Sequence, residues 1–301
     1  MTYRGRFAPS PTGPLHFGSL VSAVASYLQA RSQHGYWFVR IEDIDPPREQ
    51  SGAADAILRT LEAFGLLWDG EISYQSRRLG AYADAIDRLR EAGVLYACSC
   101  SRREIADSSV HGIDGLVYPG TCRDKAINDK ARHSLRIRSD SSAVHFDDRW
   151  QGRILRSILR DYGDFVVQRT DGLYAYQLAV VIDDAAQSIT EVVRGTDLLE
   201  STPRQIFLQQ ALGLPTPNYA HHAVVLNADG QKLSKQTGAI GIEAQTHRIL
   251  TLTKALQFLN QPTDWIQECD WRDFWSVAAR HWQPEKLRAR RSTSTDQFEV
   301  H

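Results

Sequence analysis

Arg6-Phe7-Ala8-Pro9-Ser10-Pro11-Thr12-Gly13-Pro14-Leu15-His16-Phe17-Gly18-Ser19 is the stretch whose reading decides the fold. Residues 3–8 read as a buried strand, the prolines and Gly13 force a turn, and Ser19 is expected to open a helix. That helix presents Leu20, Val21, Val24, Ala25 and Leu28 to a core and ends before Gly35. A strand, a tight turn and a helix start form a phosphate site, because the first helical amides and the positive dipole end attract anions. Gly18 lets a ligand approach the backbone, and His16 is a candidate phosphate donor. The competing explanation is a proline-rich turn before an ordinary surface helix.

Outward from this stretch the pattern is that of an α/β chain. Residues 36–41 read as a second buried strand, followed by Glu42-Asp43-Ile44-Asp45-Pro46-Pro47-Arg48, a loop at the strand's carboxyl end where open α/β sheets bind ligands. Two amphipathic helices follow: Ile57, Leu58, Leu61 and Phe64 precede Gly65, and Leu79, Tyr82, Ala83, Ile86 and Leu89 precede Gly93. Such alternation predicts a parallel sheet. Residues 94–98 resume as a strand, and Ser101 with Glu104 predicts a capping box. Between about 107 and 151 short polar segments suggest an insertion. Its Arg123, Lys125, Lys130, Arg132, Arg136 and Arg138 could meet a nucleic-acid backbone or form a solvated face.

Residues 165–168, the turn Thr170-Asp171-Gly172 and residues 173–182 read as a hairpin returning to the core, and residues 189–193 as another buried strand. Thr202 is expected to cap a helix with Pro203 in its first turn, ending near Gly213. Beyond Thr246 the chain reads as helical, through Ile249, Leu252, Leu256 and Leu259 to Trp271, Trp275 and Val277. The polar end from Pro284 to His301 is expected to fray.

The 301 residues, 42% of them hydrophobic, are enough for a large core in two or three domains. No apolar run approaches the roughly 20 residues of a membrane span, and the start is not a signal peptide, so a cytoplasmic protein without membrane partners is expected. Net charge is -1, so any nucleic-acid surface must be a local patch. Three of the four cysteines, Cys98, Cys100 and Cys122, cluster, which in a reducing compartment favours a metal over a disulfide.

A second motif, Gly230-Gln231-Lys232-Leu233-Ser234-Lys235-Gln236, follows the turn Asn227-Ala228-Asp229-Gly230. Activating a carboxylate with ATP puts charge on the leaving pyrophosphate, and positioned lysines answer that need. The two motifs together resemble the signatures of class I aminoacyl-tRNA synthetases, and Arg-Phe-Ala-Pro-Ser-Pro-Thr-Gly-x-Leu-His-x-Gly resembles their glutamyl branch. Ser19 stands where the family often has His, and Leu233 where it has Met. The resemblance spans roughly residues 4–236. It implies a Rossmann-like catalytic domain in which His16, Lys232 and Lys235 are catalytic, and His16, Gly18, Lys232 and Lys235 contact ATP, accompanied by Mg²⁺.

By the same resemblance Arg6, Ser10, Glu42, Tyr176 and Arg194 match the glutamate-binding positions, Glu42 suiting the ammonium and an arginine fork the side-chain carboxylate. Structural alternatives are pairing of Arg194 with Glu191 or Asp197, pairing of Glu42 with Arg40 or Arg48, and Tyr176 as plain core. Cys98-x-Cys100 with Cys122 could hold a zinc ion, three thiolates leaving one tetrahedral position open; buried unliganded cysteines compete. Resemblance to the short bacterial paralogues of glutamyl-tRNA synthetase supplies Tyr118 as the fourth ligand, with His111 and His133 as nearby alternatives. Those paralogues transfer glutamate to queuosine in the anticodon of tRNA(Asp), and lack the domains that read an anticodon. The expected organisation is a catalytic first half (1–97), a zinc-bearing insertion (98–164), a catalytic second half (165–240) and a small helical appendage (241–301), acting as a monomer.

Overall fold

A computed structural model describes residues 2–125, 132–227, 242 and 247–287, together with the backbone of 292–294. In chain order the first half comprises β1 (Arg4–Phe7), α1 (Phe17–Ser32), β2 (Tyr36–Ile41), α2 (Ala53–Ala63), β3 (Ser73–Tyr74) and α3 (Leu79–Glu91). The middle comprises β4 (Leu95–Cys98), α4 (Arg102–Ser108), β5 (Val110–Gly112), β6 (Gly115–Val117), β7 (Ser134–Ile137), β8 (Ala143–Asp148), β9 (Gly152–Ser157), α5 (Ile158–Asp161) and β10 (Val166–Gln168). Then come α6 (Tyr176–Ala186), β11 (Glu191–Gly195), α7 (Thr202–Ala211), β12 (Asn218–His222), β13 (Val224–Leu226), α8 (Arg248–Phe258), α9 (Phe274–Arg280) and β14 (Ser292–Ser294).

β1, β2 and β3 pair in parallel, as do β11 and β12. Thr190 N–H donates to the Arg4 carbonyl at 2.9 Å, and the neighbouring Tyr3 carbonyl takes Tyr36 at 2.9 Å. Successive carbonyls of a strand point to opposite edges. β11 therefore lies beside β1 on the edge away from β2, and the strands run β3, β2, β1, β11, β12. This is the doubly wound order in which the strand sequence reverses between β1 and β11, leaving a crevice at their carboxyl ends. Trp37, Val39 and Ile41 of β2 and nearly all of α1 from Leu20 to Leu28 are buried, so α1 is the helix on which this half of the core is built.

Several expectations are corrected. α1 begins at Phe17, with His16 as its cap, not at Ser19. The turn at Asp171 and Gly172 forms, but the returning chain bridges Gln168 only through Tyr174 and then becomes α6. Leu178 to Asp184 are all buried, the last two as ion-paired carboxylates, so the segment shows no exposed face and periodicity alone does not distinguish such a helix from a buried strand. Thr202 is the first residue of α7 rather than its cap, because a 3₁₀ turn over Thr196–Ser201 runs straight into the helix. α8 and α9 pack closely on the rest: Leu252, Leu256, Phe274 and Trp282 join the core around α1, and Trp282 Nε1 donates to Gln29 Oε1 at 2.9 Å. Three residues of the end expected to fray pair with β13 as β14. The capping box at Ser101 and Glu104 forms as expected.

The middle of the chain is antiparallel. β7 pairs with both β4 and β10, so one three-stranded sheet crosses the expected boundaries at 97/98 and 164/165. β8 and β9 form a separate hairpin.

Candidate active site

One open cavity of about 950 Å³ lies at the switch point, and Arg6, Ser10, Glu42, Tyr176 and Arg194 all line it. His16 and Gly18 line its other end. The topology brings them together: Arg6 and Arg194 are the next-to-last residues of adjacent strands β1 and β11, Glu42 follows β2, and Tyr176 opens α6. The Lys232 and Lys235 segment lies outside the described residues.

Arg194 is only 5% exposed, yet it pairs with no carboxylate among the described residues. Glu191 goes to Arg149 instead, at 2.6 Å. The guanidinium is held by neutral acceptors: Nε donates to His221 Nε2 at 3.0 Å, and Nη2 donates to Thr202 Oγ1 and Gln205 Oε1, both at 2.8 Å. Nη1 reaches Tyr176 Oη at 3.3 Å, leaving the phenol proton free to donate. Tyr176 is thus no plain core residue. A buried cation without a counter-ion is costly, and a bound carboxylate would offset that cost.

The Glu42 carboxylate is buried and takes Arg40 Nη2 at 3.3 Å, so the structural pairing with Arg40 exists beside its place on the cavity wall. Burial pushes its pKa above the usual range against the pull of Arg40 and Arg6. A ligand ammonium would bring it back down. Arg48 pairs with Asp45 and not with Glu42. Arg6 Nε donates to Asp184 Oδ1 at 3.1 Å, and Ser10 is exposed at the cavity mouth.

At the end of the cavity formed by α1, His16 caps the helix with its ring: Nδ1 accepts from Ser19 N at 3.2 Å. That bond puts the proton of the neutral ring on Nε2. The first turn of α1 carries no acidic side chain, which leaves its dipole free for an anion. Gly13, with φ of 139°, makes the turn that only glycine adopts readily. On the far wall His222 Nδ1 faces the Ala223 carbonyl at 2.8 Å while Nε2 meets Ser22 Oγ at 3.0 Å, tying β12 to α1.

The cysteines gather at the end of β4. The Sγ atoms of Cys98, Cys100 and Cys122 all lie within 4.8 Å of one another, and this is the metal-competent group among the described residues. Tyr118 Oη lies 3.3 Å from Cys98 Sγ and 3.4 Å from Cys100 Sγ, and it accepts from Cys122 N at 2.9 Å. Tetrahedral zinc with sulfur ligands at about 2.3 Å needs sulfurs about 3.8 Å apart, so the donor set fits. Neither His111 nor His133 joins the group. Burial pushes the Cys100 thiol up to about 11, whereas hydrogen bonds outweigh burial at Cys122 and bring it down to about 7. A divalent cation would hold all three as thiolates. Gly163 packs so tightly on the Tyr118 backbone that an added Cβ would lie 2.9 Å from the Tyr118 carbonyl oxygen.

Three of the six basic residues named above for this middle region are held by contacts within the fold. Arg136 stacks on the Tyr118 ring and donates to the Asp164 carbonyl, Arg123 pairs with Asp164, and Arg138 with Asp124. Lys125 and Arg132 are exposed, and Lys130 lies outside the described residues. Sequence reasoning missed the partners that hold the site: Asp184 and Arg40 behind Arg6, and His221, Thr202 and Gln205 behind Arg194. The one available signal was the position of His221 and His222 at the carboxyl end of a parallel strand.

Residues 2–252 match the family model of class I tRNA synthetases (E and Q), catalytic domain. A glutamyl-Q tRNA(Asp) synthetase of Dechloromonas aromatica is 56% identical over 93% of this chain and 94% of its own. Its counterpart from Chromobacterium violaceum is 51% identical over 95% and 96%. In fold the chain is similar to a glutamate tRNA ligase from Elizabethkingia meningosepticum solved with its amino acid, with TM-score 0.79 and 23% identity, covering 96% of this chain and 66% of that one. The chain belongs to the class I tRNA synthetases of the E and Q type and, within them, to the glutamyl-Q tRNA(Asp) synthetase family.

Proposed function

We propose that this chain activates glutamate with ATP and Mg²⁺ and transfers the glutamyl group to the cyclopentene diol of queuosine in tRNA(Asp). The observation that carries the reading is the buried Arg194 guanidinium, held among the described residues by neutral groups alone on the wall of the cavity. With Tyr176 Oη it offers two donors to a side-chain carboxylate. Glu42 takes the ammonium, and Arg6 with Ser10 orients the α-carboxylate toward ATP. The α1 amides, His16 and Gly18 receive the phosphates, and Lys232 and Lys235 stabilise charge on the departing pyrophosphate. A carboxylate oxygen attacks the α-phosphorus and pyrophosphate leaves. A queuosine hydroxyl then attacks the glutamyl carbonyl and AMP leaves. Zinc, held by Cys98, Cys100, Tyr118 and Cys122, would tie β4 to the turn carrying Cys122.

The names of the relatives support glutamyl transfer to tRNA(Asp). The test is attachment of radiolabelled glutamate to tRNA(Asp) prepared from cells that make queuosine and from cells that cannot. Labelling of the first alone is expected. Equal labelling of both, or labelling of tRNA(Glu) at its 3′ end, would overturn the reading in favour of a glutamyl-tRNA synthetase.

A further inference from the structure

Asp148, the last residue of β8, and His221, next to last in β12, are both fully out of solvent. Asp148 Oδ1 accepts three backbone N–H groups, from Trp150 at 3.0 Å, Gln151 at 2.9 Å and His221 at 3.2 Å. Its Oδ2 faces His221 Nδ1 at 2.5 Å. Gln151 Nε2 adds a bond to the His221 carbonyl at 2.9 Å, so the β8–β9 hairpin grips this residue from two sides.

A carboxylate can only accept, so His221 Nδ1 must carry the proton and Nε2 presents its lone pair to Arg194 Nε, 3.0 Å away. The opposite tautomer would set an N–H against the guanidinium N–H. We propose that Asp148 and His221 form a positioning pair: the carboxylate selects the tautomer, and the neutral ring holds Arg194 aimed into the cavity without cancelling its charge. A carboxylate in direct contact with Arg194 would hold it as firmly but would neutralise the cation that a ligand anion needs. Burial brings the His221 pKa down to about 4 despite the upward pull of Asp148, which keeps the ring neutral. This inference rests on the reading of Arg194 as the anchor of the glutamate side chain.

Asp148→Asn tests it, because the variant keeps the oxygen that accepts the three backbone bonds and replaces only Oδ2, by an NH₂ group. That group donates to Nδ1 and forces the proton onto Nε2, against Arg194. In glutamate-dependent ATP-pyrophosphate exchange the KM for glutamate should rise roughly ten-fold or more, as for loss of a hydrogen bond to a charged group, with the KM for ATP unchanged. In a His221→Gln background the same change should add less than about two-fold, since glutamine has no tautomer to select. Equal effects of Asp148→Asn in both backgrounds, or equal rises in the two KM values, would make Asp148 a merely structural cap and overturn the proposal. Should Asp148→Asn not fold, His221→Gln against His221→Phe asks the same question: glutamine can accept from Arg194 and should hold the KM for glutamate well below that of phenylalanine. Arg194→Ala separates the two readings. Normal glutamate activation by that variant defeats the anchor itself, whereas loss there with a normal Asp148→Asn defeats only the positioning pair.

Discussion

Arg6 Nε and Asp184 Oδ1 lie 3.1 Å apart, both out of solvent, and the same oxygen takes Arg40 Nη1 at 2.8 Å. One carboxylate on α6 thus joins β1 to β2 beneath the cavity. Burial would raise the Asp184 pKa, but Arg6 and Arg40 outweigh it and hold the group below the usual carboxylate range. Removing one partner of a buried ion pair leaves charges uncompensated, typically at a cost of about 3 to 5 kcal/mol. Asp184→Asn keeps the shape and loses the charge. A loss of stability of about 3 kcal/mol is expected from urea unfolding, with weaker glutamate activation because Arg6 is released. An unchanged unfolding midpoint would show that Glu42 and Asp183 suffice for Arg40.

The cysteine cluster predicts about one zinc per chain in carefully purified protein, and none in Cys100→Ser. Because a metal site assembles with the fold around it, chelation should also speed hydrogen exchange in β4, β7 and around Tyr118 while sparing β1 and α1. Metal analysis showing no zinc, or chelation that changes no exchange rate, would leave the cysteines as buried thiols.

The neutral state of His221 has a pH signature. Its folded pKa, about 4, lies below the unfolded value near 6.5, and burial lowers His222 in the same direction. The unfolded chain therefore binds protons first as pH falls. The stabilisation is present above about pH 6.5 and is lost on the way down to 4, by about 3 kcal/mol for His221 alone. Urea midpoints measured from pH 7.5 to 4.5 should fall less steeply in His221→Gln than in the parent. Parallel curves would mean that the ring does not stay neutral in the fold.

Residues that sit just after a strand or open a helix were legible in the sequence. Ser10, His16 and Glu42 stand just past a short apolar run, where a local pattern places them near the carboxyl edge of a sheet, whereas Arg6 lies within β1 and was singled out by the resemblance. Asp148 and His221 were not legible, because 73 residues separate them and the burial that makes them matter comes from a hairpin whose docking no periodicity reports. α6 was misread for a related reason: buried on all sides from Leu178 to Asp184, it carries no helical stripe. The helices after Thr246 showed their apolar faces clearly, yet only packing shows that those faces meet α1.

If Arg194 anchors glutamate as proposed, its substitution should separate recognition from folding in solution. As a buried cation with neutral partners it stabilises the free protein little, since its desolvation offsets the hydrogen bonds it makes. On the proposed reading, bound glutamate changes that balance, because its side-chain carboxylate would supply the missing charge. Arg194→Met should therefore keep its unfolding midpoint within about 1 kcal/mol of the parent, unlike Asp184→Asn, because the methionine chain fills much of the space and Thr202 can turn its hydroxyl to His221. Arg194→Ala should cost about 2 to 5 kcal/mol of glutamate recognition, since a bound carboxylate would lose its charged partner. That range corresponds to a fall of roughly 30-fold to several thousand-fold in kcat/KM for glutamate, with the KM for ATP nearly unchanged. A variant that unfolds readily while still activating glutamate at the parental rate would reverse the assignment and make Arg194 a structural residue of β11.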